Sequence, residues 1–229
     1  MLFILGMWVG VLSLHAQDMK SLFIAMPDSV APLLTKVNRE DCVDFLASNM
    51  KAEVKNRFGK VSELKRLTDD YLFLQTTASS SMEMKLLPVN DSVKVICVIR
   101  TVCAPACDSD VRFYDTGWKQ LAKEDFIRLP AADAFYLPAD TLNTSDTLNT
   151  SDASDASDTM DTSTDEAYAA ARGKADMDLV KATLSEENTT LSFYYTTPDY
   201  LSKEDREKLA KYIRKEPVVY EWKEGKYSR

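Results

Sequence analysis

The stretch from Asp69 to Trp118 reads DDYLFLQTTASSSMEMKLLPVNDSVKVICVIRTVCAPACDSDVRFYDTGW, and it decides the fold. Four of its segments are rich in Val, Ile, Leu, Phe and Tyr, and short runs of Ser, Asn and Asp separate them. Apolar segments between turn-forming residues are typical of antiparallel strands. The pattern predicts strands over Tyr71 to Thr77, Met82 to Val89, Ser92 to Val102 and Val111 to Tyr114.

The third of these segments is the most apolar. Val95, Cys97 and Ile99 alternate with Ile96 and Val98, so apolar side chains occupy both faces at mid-strand. A strand that is apolar on both faces is typical of the buried centre of a sheet. We therefore expect this segment to be a central strand covered on both sides.

The residues before this block predict mainly helices. Asp28 or Ser29 can cap a helix through Lys36, and Asn38 can cap a second helix over Arg39 to Met50. The second helix could continue over Ala52 to Phe58. We expect a strand or an extended lead-in over Lys20 to Met26, and a first strand over Val61 to Leu67.

The carboxy-terminal residues predict more strands and one helix. Met177 to Leu184 and Thr189 to Thr197 form a hairpin pattern, and Val218 to Trp222 is a last strand. Ser202 can cap a helix over Lys203 to Ile213. The predicted fold class is α+β, with amino-terminal helices packed on a mostly antiparallel sheet of about seven strands.

Two strand-turn-strand segments resemble each other, the one that starts at Met82 and the one that starts at Met177. The residues from Val111 likewise resemble those from Val219. A duplicated strand unit would explain this. The general likeness of any two strand-turn-strand segments explains it equally well, so both explanations stay open.

The net charge of −8 comes from a single segment. Residues 140–166 carry eight acidic residues and no Lys or Arg. Removing those eight from the 36 acidic residues leaves 28, which equals the 28 basic ones. The segment repeats Thr-Leu-Asn-Thr-Ser-Asp, and such a composition predicts disorder. We expect one domain from residues 17–139 and 167–229, with a disordered insertion between them and no nucleic-acid surface.

The first sixteen residues are uncharged, with an apolar run from Leu2 to Leu14. This run is shorter than a membrane span and is typical of a signal peptide, with cleavage after Ala16. The run has no preceding Lys or Arg, and a buried amino-terminal strand is the alternative. We expect export without a membrane span, to the periplasm or as a secreted protein.

Several chemistries are excluded by composition. The only histidine is His15, inside the predicted signal peptide, which removes histidine-based nucleophile systems and histidine-ligated metal sites. The four remaining glycines are scattered, so the sequence contains no glycine-rich phosphate loop. We predict no catalytic, cofactor or metal-ligating residues.

Four cysteines remain, and an even number permits disulfides in an exported protein. Cys103 and Cys107 flank Ala-Pro-Ala, where a bridge would close the turn, and reduced cysteines are the alternative. Cys42 and Cys97 occupy apolar positions typical of buried free thiols.

Acidic pairs and aromatic residues are the other candidate sites. Asp69–Asp70, Glu186–Glu187 and Glu204–Asp205 could serve acid–base catalysis, but they fall at turns or a helix start, where solvated carboxylates are common. Aromatic residues gather in the last third of the chain, where core packing competes with an exposed surface for a sugar or protein. The candidate binding aromatics are Tyr194, Tyr200 and Trp222.

Several runs resemble an exported Bacteroidales family with no assigned function, domain of unknown function 3256. They include Ala25-Met-Pro-Asp-Ser, Leu67-Thr-Asp-Asp-Tyr-Leu, Lys94-Val-Ile-Cys-Val, Val102-Cys-Ala-Pro-Ala and Val219-Tyr-Glu-Trp-Lys. The resemblance covers nearly the whole chain after the leader except the acidic segment. It implies export and supplies no catalytic residues.

In such bacteria, Asp followed by Ser or Thr and a small apolar residue resembles an acceptor motif for O-glycosylation. Three copies lie in the acidic segment, which makes Thr141, Thr147 and Thr159 candidate glycosylation sites. For the protein as a whole we expect a non-enzymatic binding or accessory function toward an unknown protein or glycan. A carboxylate-dependent glycan hydrolase is the alternative.

Overall fold

The computed structural model describes residues 18–137 and 162–229. The predicted signal peptide and the candidate glycosylation sites Thr141, Thr147 and Thr159 lie outside these residues. Most of the predicted insertion, residues 140–166, also lies outside them, and a helix begins at Thr162. Within the described residues no helix is long and apolar enough to cross a membrane.

A seven-stranded antiparallel sheet forms the centre of the fold. Its strands pair in chain order, each with the next, as a continuous meander. Short turns join consecutive strands, as antiparallel pairing allows. The strands are β1 Glu53–Lys55, β2 Val61–Leu67, β3 Tyr71–Thr77, β4 Ser80–Pro88, β5 Lys94–Cys103, β6 Cys107–Asp115 and β7 Gln120–Leu121.

Two helices cover one face of this sheet. Helix α1 spans Met19–Ala25 and is capped by Asp18, whose side chain accepts the N–H of Ser21. Helix α2 spans Lys36–Ala47 and begins with a capping box formed by Thr35 and Asn38. Both helices pack with the even-numbered side chains of β3 to β5 in one apolar core.

The amino-terminal predictions were partly wrong. Residues 20–26 were expected to be extended, but they belong to α1, since a short apolar run does not distinguish strand from helix. The predicted helix through Lys36 is instead a series of turns, and Thr35 rather than Asn38 caps the next helix. The predicted extension over Ala52 to Phe58 contains strand β1.

A four-stranded antiparallel sheet covers the opposite face. Its order is β11-β10-β9-β8, so it too is a meander. Its apolar side chains share a second core with the odd-numbered residues of β4 to β6. The strands are β8 Val180–Leu184, β9 Thr190–Tyr195, β10 Val218–Lys223 and β11 Lys226–Ser228.

Helix α3, Thr162–Arg172, and helix α4, Lys203–Leu209, share a small separate cluster with Tyr136. The predicted helix over Lys203 to Ile213 is therefore shorter than expected. Ser202 caps α4 as predicted, by accepting the N–H of Asp205.

Strand β5 lies at the centre of the three layers. Cys97 and Ile99 face the four-stranded sheet, while Ile96 and Val98 face the helices. The predicted α+β class and the seven-stranded antiparallel sheet are confirmed. The separate four-stranded sheet was not predicted, because the strand pattern alone does not show which strands share a sheet.

Candidate functional site

The meander brings three turns together at one end of the seven-stranded sheet. These are the β1–β2 turn (56–60), the β3–β4 turn (78–79) and the β5–β6 turn (104–106). Every second turn of an antiparallel meander lies at the same end, so the topology itself groups them. We call this region the turn end.

Asn56 fixes the first of the three turns. Its side-chain oxygen accepts the N–H groups of Phe58 (3.0 Å) and Lys60 (3.1 Å). Its side-chain nitrogen donates to the Ser62 hydroxyl (3.2 Å) and the Thr76 carbonyl (3.3 Å). The buried Asn56 therefore joins the β1–β2 turn to β3.

The second turn is held by side chains of its own strands. Gln75 Nε2 donates to the carbonyls of Thr77 (2.7 Å) and Ser80 (3.0 Å). The Ser80 hydroxyl lies 2.8 Å from the Thr76 hydroxyl and 2.6 Å from the Thr77 hydroxyl. With this many local hydrogen bonds, the turn is a pre-formed element.

A disulfide joins Cys103 to Cys107 across the third turn, with an S–S distance of 2.04 Å. The two cysteines are opposite each other in the β5–β6 register. The Cys103 N–H also donates to the Ser79 carbonyl (2.9 Å), which links this turn to the second one. Of the two bonding states that the sequence allowed, the structure contains the bridge.

Cys42 and Cys97 are buried free thiols, as the sequence predicts. Burial raises the pKa of the Cys42 thiol to about 11 and also raises that of Cys97. Because the thiolate is the reactive form, both groups are held as unreactive thiols at neutral pH.

A cavity of about 170 Å³ opens at the turn end, between residues 31–34 and the helix-facing side of β3 to β5. Leu34, Leu74 and Met82 are buried and form its floor. Pro32 and Val102 are exposed and form part of its rim. We call this cavity the turn-end pocket, and it is an apolar site.

Among the described residues that line the turn-end pocket, Arg100 alone is charged. It lies opposite Met82 in the β4–β5 register, and its Nη2 donates to the Val30 carbonyl. Its Nε is buried and has no hydrogen-bond partner among residues 18–137 and 162–229. On the neighbouring strand β6, Asp110 lies opposite Arg100. The Asp110 carboxylate pairs instead with Arg112, whose Nε is 2.5 Å away.

Glu83 lines a second cavity of about 200 Å³, on the side of the sheet that faces β8. It is 5% exposed, and its carboxylate accepts the N–H of Leu184 at 2.8 Å. Burial raises the pKa of the Glu83 carboxyl, and the Leu184 N–H partly offsets that shift. Lys181 lines the same cavity and also lowers the Glu83 pKa through its charge.

The bond from Leu184 to Glu83 is one of a series along the outer edge of β8. The N–H groups of alternate residues in this edge strand point away from β9 and need other acceptors. Side chains of the larger sheet accept these N–H groups. Asp108 accepts from Val180 (3.2 Å), Ser109 from Ala182 (2.9 Å) and Glu83 from Leu184 (2.8 Å). Glu83 therefore has a structural role in joining the two sheets.

Lys85 also connects the two sheets. Its side chain is 1% exposed, and its Nζ donates to the Glu186 carbonyl at 2.9 Å. The Asp70 carboxylate lies 2.9 Å from that Nζ. The Tyr71 ring, 5.8 Å from the Nζ, provides a cation–π contact.

The three acidic pairs singled out in the sequence each place a carboxylate next to a cation. Asp70 contacts Lys85 as described. Glu186 lies 3.7 Å from Arg66, and Glu204 lies 2.6 Å from Lys208 on α4. In each pair, one of the two carboxylates is therefore engaged in an ion pair.

The candidate binding aromatics do not form one surface. Tyr194 is 40% exposed on the outer face of β9, whereas Trp222 is 9% exposed on the inner face of β10. Trp222 stacks on Phe126 and donates its Nε1–H to the Pro88 carbonyl at 2.6 Å. Tyr200 is half-buried and donates to Asp176. Trp222 belongs to the core, which corrects its assignment as a binding residue.

Arg100 and Glu83 were missed by the sequence reasoning. The sequence does contain a signal for both. Each is a charged residue at a position where the alternation of its strand predicts a buried side chain. In the two described parts of the chain, no three His, Cys, Asp or Glu residues lie close enough together to ligate one ion.

Comparisons with other proteins point to one family. The sequence profile described as protein of unknown function (DUF3256) matches residues 11–159 and 141–227. A solved structure of a domain of an uncharacterized protein from Porphyromonas gingivalis W83 is similar, with a TM-score of 0.73 and 28% identity. The match covers 93% of this chain and 100% of that one. No curated protein matches the sequence.

Proposed function

Since the chain belongs to the DUF3256 family of proteins of unknown function, we propose its role from the site itself. The protein is an exported, non-enzymatic binding or accessory module, and its ligand site is the turn-end pocket. The observation that carries this proposal is an apolar cavity with a guanidinium at its wall and hydrogen-bonded turns around it. Small-molecule sites commonly combine an apolar lining with a few placed polar groups.

The rigidity of the turn end supports binding. The hydrogen bonds of Gln75 and Ser80 and the disulfide at Cys103 restrain two of the turns before any ligand arrives. A pre-formed site loses less conformational entropy when a ligand binds. The apolar leader and the disulfide are both features of proteins exported to an oxidising compartment, which supports export to the periplasm or beyond.

An NMR fragment screen of the ¹⁵N-labelled full chain tests the proposed site. Carboxylates, alkanols, monosaccharides and short peptides would be titrated, and we expect saturable shifts at the amides of residues 31–34. Ala31→Leu, which adds a larger side chain at the pocket wall, should weaken binding at least tenfold. Ala169→Leu adds the same side chain at an exposed position of α3 and should change nothing. If no compound class shifts these amides, the pocket is not the ligand site and the proposal is wrong.

A carboxylate-dependent glycan hydrolase is the second candidate function. Its support is Glu83, a buried carboxyl with a raised pKa at the wall of a cavity, as a general acid requires. Its hydrogen bond to Leu184 argues for the structural role instead. Hydrolysis of cell-envelope or dietary glycans by the native chain, abolished by Glu83→Gln in a folded variant, would replace the binding proposal with this one.

The candidate glycosylation sites Thr141, Thr147 and Thr159 remain part of the proposal. Intact-mass spectrometry of the natively expressed protein tests them, because each attached glycan adds a defined mass. Combined Thr→Ala substitution at the three positions should remove that mass. An unmodified native mass would exclude glycosylation there.

A further inference from the structure

The turn-end pocket combines a floor for an aliphatic group with a cation that lacks a counter-ion. Arg100 makes one hydrogen bond, to the Val30 carbonyl, and no carboxylate in the described residues lies within 4 Å of its side-chain nitrogens. Its Nε is buried without a partner. The residue as a whole is partly exposed, and a guanidinium with free N–H groups is a recognition group for a carboxylate, since it can donate two parallel hydrogen bonds.

The neighbouring charges explain why Arg100 stays unneutralised. Asp110 is the carboxylate nearest in register, but it pairs with Arg112 on its own strand. Asp28, close to the segment that forms the pocket wall, pairs with Arg39 and Arg57. Both acidic residues are therefore already neutralised, which leaves the positive charge at the pocket for an external anion.

The volume limits the apolar part of the ligand. A dry cavity of about 150 Å³ in another protein accommodates benzene, so about 170 Å³ suits a group of about six carbons. Leu34, Leu74 and Met82 provide an aliphatic floor, and none of the described residues that line the pocket has an aromatic ring on which a sugar could stack. These features favour an aliphatic chain over a carbohydrate in this pocket.

We propose that the turn-end pocket binds a small aliphatic carboxylate, with its chain on the apolar floor and its carboxylate against the Arg100 guanidinium. This inference rests on the proposed function, because it names the ligand class of the same site. The Thr76 and Ser80 hydroxyls also line the pocket and offer further hydrogen bonds to the carboxylate.

Three ligands of equal length test the inference: hexanoate, hexan-1-ol and hexylammonium. They would be titrated into the full chain, labelled with ¹³C at its methyl groups, while the methyl signals of Leu34, Leu74 and Met82 are followed. We expect hexanoate to bind at least tenfold more tightly than hexan-1-ol, and hexylammonium to bind most weakly. A tenfold difference corresponds to about 1.4 kcal/mol, within the range of a charge-assisted hydrogen bond.

Three arginine variants separate the role of Arg100 from general charge effects. Arg100→Met should remove the preference for hexanoate but leave hexan-1-ol binding within threefold, which also shows that the pocket is intact. Arg128→Met removes the same charge at an exposed position outside the pocket and should keep the preference. Arg100→Lys keeps the charge without the forked geometry and should give an intermediate preference.

The outcomes distinguish this inference from the proposed function. If hexan-1-ol binds as tightly as hexanoate, the carboxylate inference is wrong, while the pocket remains a binding site. If none of the three compounds shifts the floor methyl signals but another class in the fragment screen shifts residues 31–34, only the inference fails. If no class of compound shifts these signals, both the inference and the proposed function are wrong.

Discussion

Ser109→Ala is the most direct test of how the two sheets are joined. Ser109 Oγ accepts the N–H of Ala182, at 2.9 Å, on the outer edge of β8. Ala182 is 1% exposed, so water cannot replace the lost acceptor without a local opening. The substitution removes one oxygen atom and leaves the rest of strand β6 in place.

The expected magnitude follows from these contacts. A buried N–H left without an acceptor lowers stability by about 1–3 kcal/mol. Ser109 Oγ also lies 2.7 Å from the hydroxyl of the buried Thr101, and the loss of that second bond adds about 0.5–1.5 kcal/mol. We expect Ser109→Ala to lower the free energy of unfolding by about 2–3 kcal/mol.

Urea denaturation with the disulfide intact measures this change, and hydrogen exchange locates it. The Ala182 amide should exchange faster in the variant, while amides in the centre of β5 lose protection only by the global change. Ser92→Ala is the matched control, because Ser92 is exposed and its hydroxyl makes no hydrogen bond to the described residues. It should remain within about 0.5 kcal/mol of the native chain.

A specific pair of results would refute this reasoning. They are an unfolding free energy for Ser109→Ala within about 0.5 kcal/mol of the native value and unchanged exchange of the Ala182 amide. The N–H would then be satisfied without Ser109. Asp108→Ala gives an internal comparison: the Asp108 bond to Val180 is longer, at 3.2 Å, and exposed, so its loss should matter less.

Three further predictions concern single positions. Glu83 has a folded-state pKa raised above its unfolded value, so its favourable contribution is full below about pH 4.5 and is lost as pH rises through the folded pKa. Glu83→Gln should therefore be more stable than the native chain at neutral pH in urea titrations. If the difference in stability between the variant and the native chain is the same at pH 4 and pH 7, this reasoning is wrong. Asp70→Asn removes the carboxylate from the buried Lys85, and because Asp70 is half-exposed the expected loss in urea unfolding is about 1–2 kcal/mol; an unchanged midpoint would count against the pair. Gly225 and Gly59 both have a positive φ, but only at Gly225 would a Cβ meet another side chain, at 3.0 Å. Gly225→Ala should thus lower the melting temperature more than Gly59→Ala, and the reverse order in thermal unfolding would refute the steric argument.

The strand block could be predicted because local alternation reports burial directly. In β5, apolar residues at both odd and even positions require cover on both faces, and two different layers provide it. The boundaries of β3, Tyr71–Thr77, agree with the prediction because Asp and Ser residues flank them on either side. Information of this kind lies within each segment and needs no knowledge of distant residues.

The predictions that were wrong concern features that depend on contacts between residues far apart in the sequence. Helix α1 has an apolar run that is equally compatible with a strand, and its packing against the sheet decides the outcome. The assignment of β8 to β11 to a second sheet depends on side chains such as Ser109, more than 70 residues away. For Trp222 the sequence left surface and core open for the same reason, because the ring that stacks on it, Phe126, comes from a loop without strand periodicity.

Charged residues at inward-facing strand positions provide the link from fold to function. Glu83, Lys85 and Arg100 all occupy such positions, where an unpaired charge is unfavourable. Glu83 and Lys85 are explained by the fold, since one accepts a β8 N–H and the other donates to the Glu186 carbonyl beside a carboxylate. Arg100 has no such explanation among the described residues, where its side chain makes one hydrogen bond, to the Val30 carbonyl, that a neutral donor could also make. Unlike the buried Glu83 and Lys85, Arg100 is also partly exposed, so its charge is available to a partner outside the chain. This difference supports our proposal of the turn-end pocket, rather than the cavity at Glu83, as the ligand site.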